Sequence, residues 1–273
     1  MANVLITGCS TGFGELAALT FADRGHTVVA TMRTPGKSAA LNARPDIHQI
    51  ALDVSSTESV EAAVAAAIAA VGSIDVLINN AGIEVFGAVH LLSDDEVFRQ
   101  FDTNVTGVIR MARAVVPHLL AQGHGTIVNV GSVAGLVGAP YSGVYAASKH
   151  AVEALTEALH FELSHRGIRV HVVEPGQFAT ALGANSLSAV AMPEGSDDHA
   201  RWQRFRAAQR SLVNGEPAPA QIVADAIFAA ATDEPAKLRH PVGVDADLIV
   251  ATKGSMSFEE FDATMRTVLN WHE

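Results

Sequence analysis

Tyr145 and Lys149 stand four residues apart in Tyr145-Ala-Ala-Ser-Lys149, inside a stretch whose pattern predicts a helix. Ala146, Ala151, Val152, Leu155 and Leu159 recur at helical spacing, and no Gly or Pro falls between Tyr145 and Arg166. At that spacing a phenol and an ammonium share one face, one turn apart. A free tyrosine titrates near ~10, too high for ready proton exchange at neutral pH. A neighbouring cation favours the phenolate and lowers that value. The pair is therefore a candidate general acid for a carbonyl oxygen, or a general base for an alcohol. Ser132 lies thirteen residues before Tyr145, across a connection carrying Gly135, Gly138 and Gly143. Such a loop can fold the serine hydroxyl back onto the tyrosine.

Positioning these groups takes a rigid frame, and the pattern supplies one. Short apolar runs at Val4–Thr7, His26–Met32, Ile47–Leu52, Ile74–Ile78, Thr126–Val130 and Ile168–Val173 read as buried strands, with Val242–Val250 as a last one. Helical patterns lie between them. Ser55 or Ser56 caps Thr57–Val71, Ser93 caps a long helix to about Ala121, and Pro219–Ala231 and Phe258–Leu269 follow. Asn104 falls inside the second of these, where propensity disfavours it, so it is either exposed and idle or held for a purpose. Strand–helix alternation throughout predicts an α/β fold: a Rossmann-type doubly wound parallel sheet of about seven strands, helices on both faces, in a single domain over 1–273. The stretch at about 178–215 has weak periodicity and several breakers, and its length suits a substrate lid.

The first strand runs into Gly8-x-x-x-Gly12-x-Gly14 and then a helical pattern, with Ser10 and Phe13 inside the turn. Strand, glycine-rich turn and helix N-terminus make a dinucleotide pyrophosphate site. Cys9, in the same turn, reads as a small packed residue. An acidic residue at the end of the second strand would hold a free ribose 2′-hydroxyl. This chain has Thr31, Met32 and Arg33 there instead. Arg33, helped by Ser10 and Lys37, suits a 2′-phosphate, which favours NADP(H) over NAD(H). Asn79-Asn80-Ala81-Gly82 ends the fourth strand, as a ligand crevice or a plain turn would.

Composition narrows the partners. Apolar residues make up 49% of the 273, which supports a sizeable core. A formal net charge of −11 argues against nucleic acid or an anionic membrane as a partner. The longest near-apolar run, Ala62–Val71, falls far short of the ~20 residues of a membrane span. No secretory signal precedes the first strand, and one cysteine excludes an internal disulfide; both predict a cytoplasmic protein. The histidines are scattered without metal-ligand spacing, so no metal is expected.

Taken in order, Thr7-Gly8-x-x-x-Gly12-x-Gly14, Asn79-Asn80-Ala81-Gly82, Asn104, Ser132, Tyr145-x-x-x-Lys149 and Pro175-Gly176 resemble the short-chain dehydrogenase/reductase family over nearly the whole chain. The Gly-Cys-Ser turn and the Thr-Met-Arg strand end resemble its NADP-preferring branch, with 17β-hydroxysteroid and retinol dehydrogenases. The resemblance implies that Tyr145 is the catalytic acid/base and that Lys149 lowers its pKa and holds the nicotinamide ribose. It implies that Ser132 bonds the substrate oxygen and that Asn104 organises a water leading to Lys149. Gly8, Ser10, Gly12, Phe13 and Gly14 would line the pyrophosphate and adenosine path, Asp53 and Val54 the adenine. Asn80, Ala81 and Gly82 would sit on the adenosine side, and Pro175, Gly176 and Thr180 at the nicotinamide. The implied function is NADP(H)-dependent interconversion of a ketone or aldehyde and its alcohol. Apolar residues near the site, Val85, Phe86, Leu182, Met192, Trp202 and Phe205 among them, predict a hydrophobic substrate. The alternative is a non-catalytic NADP(H) sensor on the same fold, which would not need Asn104, Ser132, Tyr145 and Lys149. The family also implies a homodimer or homotetramer, built on the helices of Ser93–Ala121 and Tyr145–Arg166.

Overall fold

Val4-Leu5-Ile6 is apolar at every position because both faces of its strand are covered: Val4 and Ile6 enter one hydrophobic layer, Leu5 the other. The computed structural model describes residues 1–179, 186–211, 218–232 and 237–270. Seven parallel strands form the central sheet: β1 Asn3–Ile6, β2 Thr27–Met32, β3 Ile47–Ala51, β4 Val76–Asn79, β5 Gly125–Val130, β6 Ile168–Pro175 and β7 Arg239–Val242. Their spatial order is 3-2-1-4-5-6-7, so the winding reverses between β1 and β4. A crevice opens at the carboxyl ends of the strands at such a reversal.

The helices are α1 Gly12–Asp23, α2 Thr57–Val71, α3 Asp94–Phe101, α4 Gly107–Gln122, α5 Gly143–Leu163, α6 Asp197–Ser211, α7 Gln221–Thr232, α8 Val244–Ser255 and α9 Phe258–Leu269. Phe21 of α1 and Val223 and Ile227 of α7 fill one layer; Val60 and Val64 of α2 and Met111 and Val115 of α4 fill the other. The expected caps form: Ser56 accepts from Ser59 N, and Ser93 makes a reciprocal capping box with Glu96.

Two expectations are corrected. The helix from Ser93 to Ala121 is not continuous, because a π-type turn at Asp102–Thr106 separates α3 from α4. The extra residue in that turn lets Asn104 aim its amide at backbone outside the helix. Val242–Val250 is not a strand. Gly243, at φ 111°, turns the chain out of β7, and α8 begins at once with Asp245 buried beneath it. The stretch of weak periodicity at about 178–215 contains α6. Its inward face mixes Trp202 and Phe205 with Arg206 and Gln209, so apolar periodicity does not reveal it.

Candidate active site

At the switch point the turn after β1 and the turn after β4 are laced together. Thr7 Oγ1 accepts the backbone N–H groups of Asn80 and Ala81, both at 3.0 Å. The Asn80 amide donates to the carbonyls of Thr7 (2.8 Å) and Gly8 (3.2 Å). Glycine is required at position 8: its φ is +74°, and a Cβ there would lie 2.8 Å from Ala81 Cα. Thr11 makes no side-chain cap to α1, which leaves the N–H groups of that helix's first turn for an anion. Gly8, Ser10, Gly12 and Phe13 line the mouth of a cleft of about 1670 Å³. Arg33, Lys37, Asp53, Val54, Asn80, Ala81 and Gly82 line it too. Gly14 sits behind the turn, where a Cβ would come 2.6 Å from Gly8 O. Burial works to raise Asp53, but hydrogen bonds from Ser55 and the charges of Arg33 and Arg110 outweigh it and hold the carboxylate below its usual range. Cys9 is fully buried and its thiol pushed up to about 12 by burial, as a packed residue should be.

The far end of the cleft holds Ser132, Tyr145 and Lys149. The Ser132 hydroxyl faces the Tyr145 phenol closely enough to favour its ionised form. Its Oγ also lies 3.4 Å from Pro175 O and accepts from Ala134 N at 3.1 Å. Lys149 is buried, donates to Val130 O at 2.8 Å, and has its Nζ 5.8 Å from the centroid of the Tyr145 ring. The expected lowering of the tyrosine by the lysine is not what this geometry gives. Burial raises the phenol, the charge of Glu84 raises it further, and only the neighbouring Ser132 hydroxyl opposes them. Burial also lowers Lys149, to about 8, with Glu153 working against that fall. Desolvation outweighs the mutual help of the pair.

Asn104 is held, not idle. It is buried, its Oδ1 accepts from Ile83 N at 2.9 Å, and its Nδ2 donates to Ile83 O and to Ser148 Oγ. Ser148 in turn donates to Tyr145 O at 2.7 Å. Asn104 thus ties the strap after β4 to the helix that carries Tyr145. Pro175 and Gly176 line the cleft, and any side chain at 176 would collide with the Asp245 carboxylate. Gln177 N donates to Asp245, and Gln177 Nε2 to Gln209 O at 3.0 Å, which pins the last turn of α6 to this loop. Thr180 and Leu182 lie outside the described residues.

Several functional-site neighbours carry no local motif. Glu153, one turn beyond Lys149, shares Arg239 with Glu174: Arg239 Nη1 lies 2.5 Å from Glu153 and 2.7 Å from Glu174. Burial first, and then Glu174's charge, push Glu153 up to about 7. Glu84 is buried against the cleft, accepting from Ser142 (3.3 Å) and Ser186 (2.9 Å). The helical spacing Lys149–Glu153 was the one available signal. Apolar candidates fared unevenly. Phe205 lines the cleft, but Val85 and Met192 are core, and Phe86 stacks on Trp202 at 4.1 Å beside it. Among the described residues, no group of acidic, His or Cys side chains could hold a metal.

A doubly wound sheet, a glycine turn at its switch point and a Ser–Tyr–Lys set across the cleft define a dinucleotide-dependent oxidoreductase. The chain belongs to the short chain dehydrogenase family, whose model matches residues 2–190. It is an enzyme of the CH–OH/C=O type that uses a nicotinamide cofactor. It is 40% identical over 182 residues to 3-ketodihydrosphingosine reductase of Bacteroides thetaiotaomicron, covering 67% of this chain and 66% of that protein. Uncharacterized oxidoreductase YusZ of Bacillus subtilis is 35% identical over 97% of each chain. Human retinol dehydrogenase 8 is 39% identical over 70% of this chain and 64% of its own. Among solved structures, a short-chain dehydrogenase from Streptomyces avermitilis superposes with a TM-score of 0.81 at 30% identity, covering 99% and 97% of the two chains. A 3-ketoacyl-(acyl-carrier-protein) reductase from Brucella melitensis, complexed with NADH, gives 0.74 at 27% identity over 88% and 95%.

Proposed function

We propose that this protein interconverts an apolar ketone or aldehyde and its alcohol with NADP(H), using Tyr145 as general acid and base. The observation that carries the reading is the convergence of Ser132, Tyr145 and Lys149 on one cleft with the glycine turn. Two relatives named for 3-ketodihydrosphingosine and retinol support an apolar carbonyl or alcohol. Preference for NADP(H) rests on Arg33, with Ser10 and Lys37 lining the same end of the cleft and no carboxylate at the end of β2.

When bound, the cofactor supplies the hydride. Gly8, Ser10, Gly12, Phe13 and Gly14 hold its pyrophosphate and adenosine path, Asp53 and Val54 the adenine, and Asn80, Ala81 and Gly82 the adenosine side. Pro175, Gly176 and Thr180 hold the nicotinamide end. In reduction, Tyr145 donates its proton to the substrate oxygen while Ser132 hydrogen-bonds that oxygen. A phenol kept protonated by burial suits the donor role. Lys149 holds the nicotinamide ribose, and Asn104 organises the water that reconnects Lys149 to solvent. The segment at about 178–215 serves as the lid. The enzyme works in the cytoplasm, as a homodimer or homotetramer.

Titration of the purified protein with NADPH and NADH, followed by a panel of ketones and aldehydes, tests the reading. Tyr145→Phe should lose at least ~10²-fold in kcat while NADPH affinity stays within about threefold; near-normal turnover would remove Tyr145 from its role. Arg33→Ala should weaken NADPH by roughly tenfold or more and leave NADH unchanged. Equal losses for both cofactors would contradict the assignment of Arg33.

A further inference from the structure

Helix α6 turns a face toward the active-site cleft that is not simply apolar. Phe205 is buried there, and Arg206, half-buried one position on, lines the cleft together with Arg210 one helical turn later. Both arginines also border an adjoining cavity of about 340 Å³, floored by Phe86 and Trp202. Residues four apart on a helix project side by side, so the two guanidinium groups open onto one space.

Neither has an ion pair or hydrogen bond to any described residue. Arg33, Arg99, Arg113, Arg166, Arg201 and Arg204 also lack a carboxylate partner among the described residues, but they are exposed, whereas Arg206 is half-buried in the cavity wall. The dipole of α6 accounts for a cation in its last turn, where Arg210 lies, but not for Arg206 in the cavity wall. Glu84 borders the same cavity, with its two oxygens engaged by Ser142 and Ser186. A negative ligand group is repelled from Glu84 and drawn to α6, which fixes one orientation. The bond from Gln177 to Gln209 holds this part of α6 against the loop that follows Pro175 and Gly176.

We infer that the substrate carries an oxyanion, a carboxylate or a phosphate monoester, and that Arg206 and Arg210 bind it while the carbonyl lies at Tyr145. The inference rests on the oxidoreductase reading above and refines its substrate to an apolar carbonyl compound with one anionic end. Paired guanidinium groups match carboxylate and phosphate oxygens through parallel hydrogen bonds.

Binding and turnover test it separately. Decanoate, decyl phosphate and neutral decanamide are titrated calorimetrically into the NADPH-loaded protein. One of the two anions should bind at least about tenfold tighter than the amide, and which one it is identifies the oxyanion. That preference should weaken with added salt. The double variant R206Q/R210Q should erase it and leave amide binding unchanged, whereas R201Q/R204Q, on the outer face of the same helix, should retain it. Equal binding of all three probes, or a preference that survives R206Q/R210Q, overturns the inference. Turnover is then read with ω−1-oxo fatty acids and their methyl esters. Higher kcat/KM for the acids, lost in R206Q/R210Q, supports it. Turnover of acids and esters alike overturns it while the oxidoreductase reading stands. Failure to reduce any oxo compound overturns that reading itself, and this inference with it.

Discussion

Burial lowers Lys149 to about 8, and the charge of Glu153 partly holds it up. The ammonium is therefore present below about pH 8 and lost above it, while the Tyr145 phenol stays protonated throughout that range. Carbonyl reduction should accordingly fall on the alkaline side with a limb set by Lys149, not by Tyr145. Glu153→Gln removes a negative charge one turn away, so Lys149 loses its proton more easily and the limb should move to lower pH. A pH profile of kcat/KM in which the limb stays put would show that Glu153 does not act on Lys149. The residues of this site divide by how they reach it. Tyr145, Lys149 and the glycines of the first turn are fixed by spacing within one element, so a linear reading finds them. Glu174 arrives on β6 and Arg239 on β7, and only the pairing of those strands brings them to Glu153. No periodicity in the chain encodes that meeting.

The π-type turn between α3 and α4 shows what one inserted residue does to an element. Hydrophobic spacing runs on past it, and the Ser93 capping box marks only the start, so the break was hidden from a pattern-based reading. It turns Asn104 to satisfy the N–H of Ile83 and to share the C=O of Ile83 with the Gln100 amide. Asn104→Ala should therefore destabilise the protein by about 1–3 kcal/mol, visible as a lower thermal midpoint, and should also lower kcat by loosening the strap that contacts α5. Loss of activity with an unchanged midpoint would mean that the amide matters only for proton transfer. The end of the chain was misread for a related reason. The β-branched run around Val242–Val250 has strand character, but Gly243 at φ 111° and the buried Asp245 commit it to a helix. Strand propensity there reports exposed side chains such as Val244, not pairing.

At the scale of the molecule, alternation of buried runs with helical stretches was enough to specify the sheet, because covering both faces leaves every parallel strand apolar. The proposed oligomer would form on what those helices leave uncovered. Phe98 on α3, Ile109 on α4 and Phe161 on α5 are 70%, 41% and 77% exposed. Stable interfaces bury upwards of about 1,000 Å², with apolar residues at their centre. Phe161→Glu should shift the protein toward monomer in light scattering at micromolar concentration, and a wild-type monomer would remove the oligomer from the proposal. One further property belongs to the chain as a whole. The hydroxyl of Thr7 holds Asn80 and Ala81, the strap they begin reaches Ile83, Asn104 grips Ile83, and Ser148 joins Asn104 to the backbone of Tyr145. The glycine turn after β1 and Tyr145 are thus parts of a single truss assembled during folding, before any ligand arrives. Such a site has little order left to gain, so nucleotide capture should leave amide exchange around Tyr145 almost as slow as it already was.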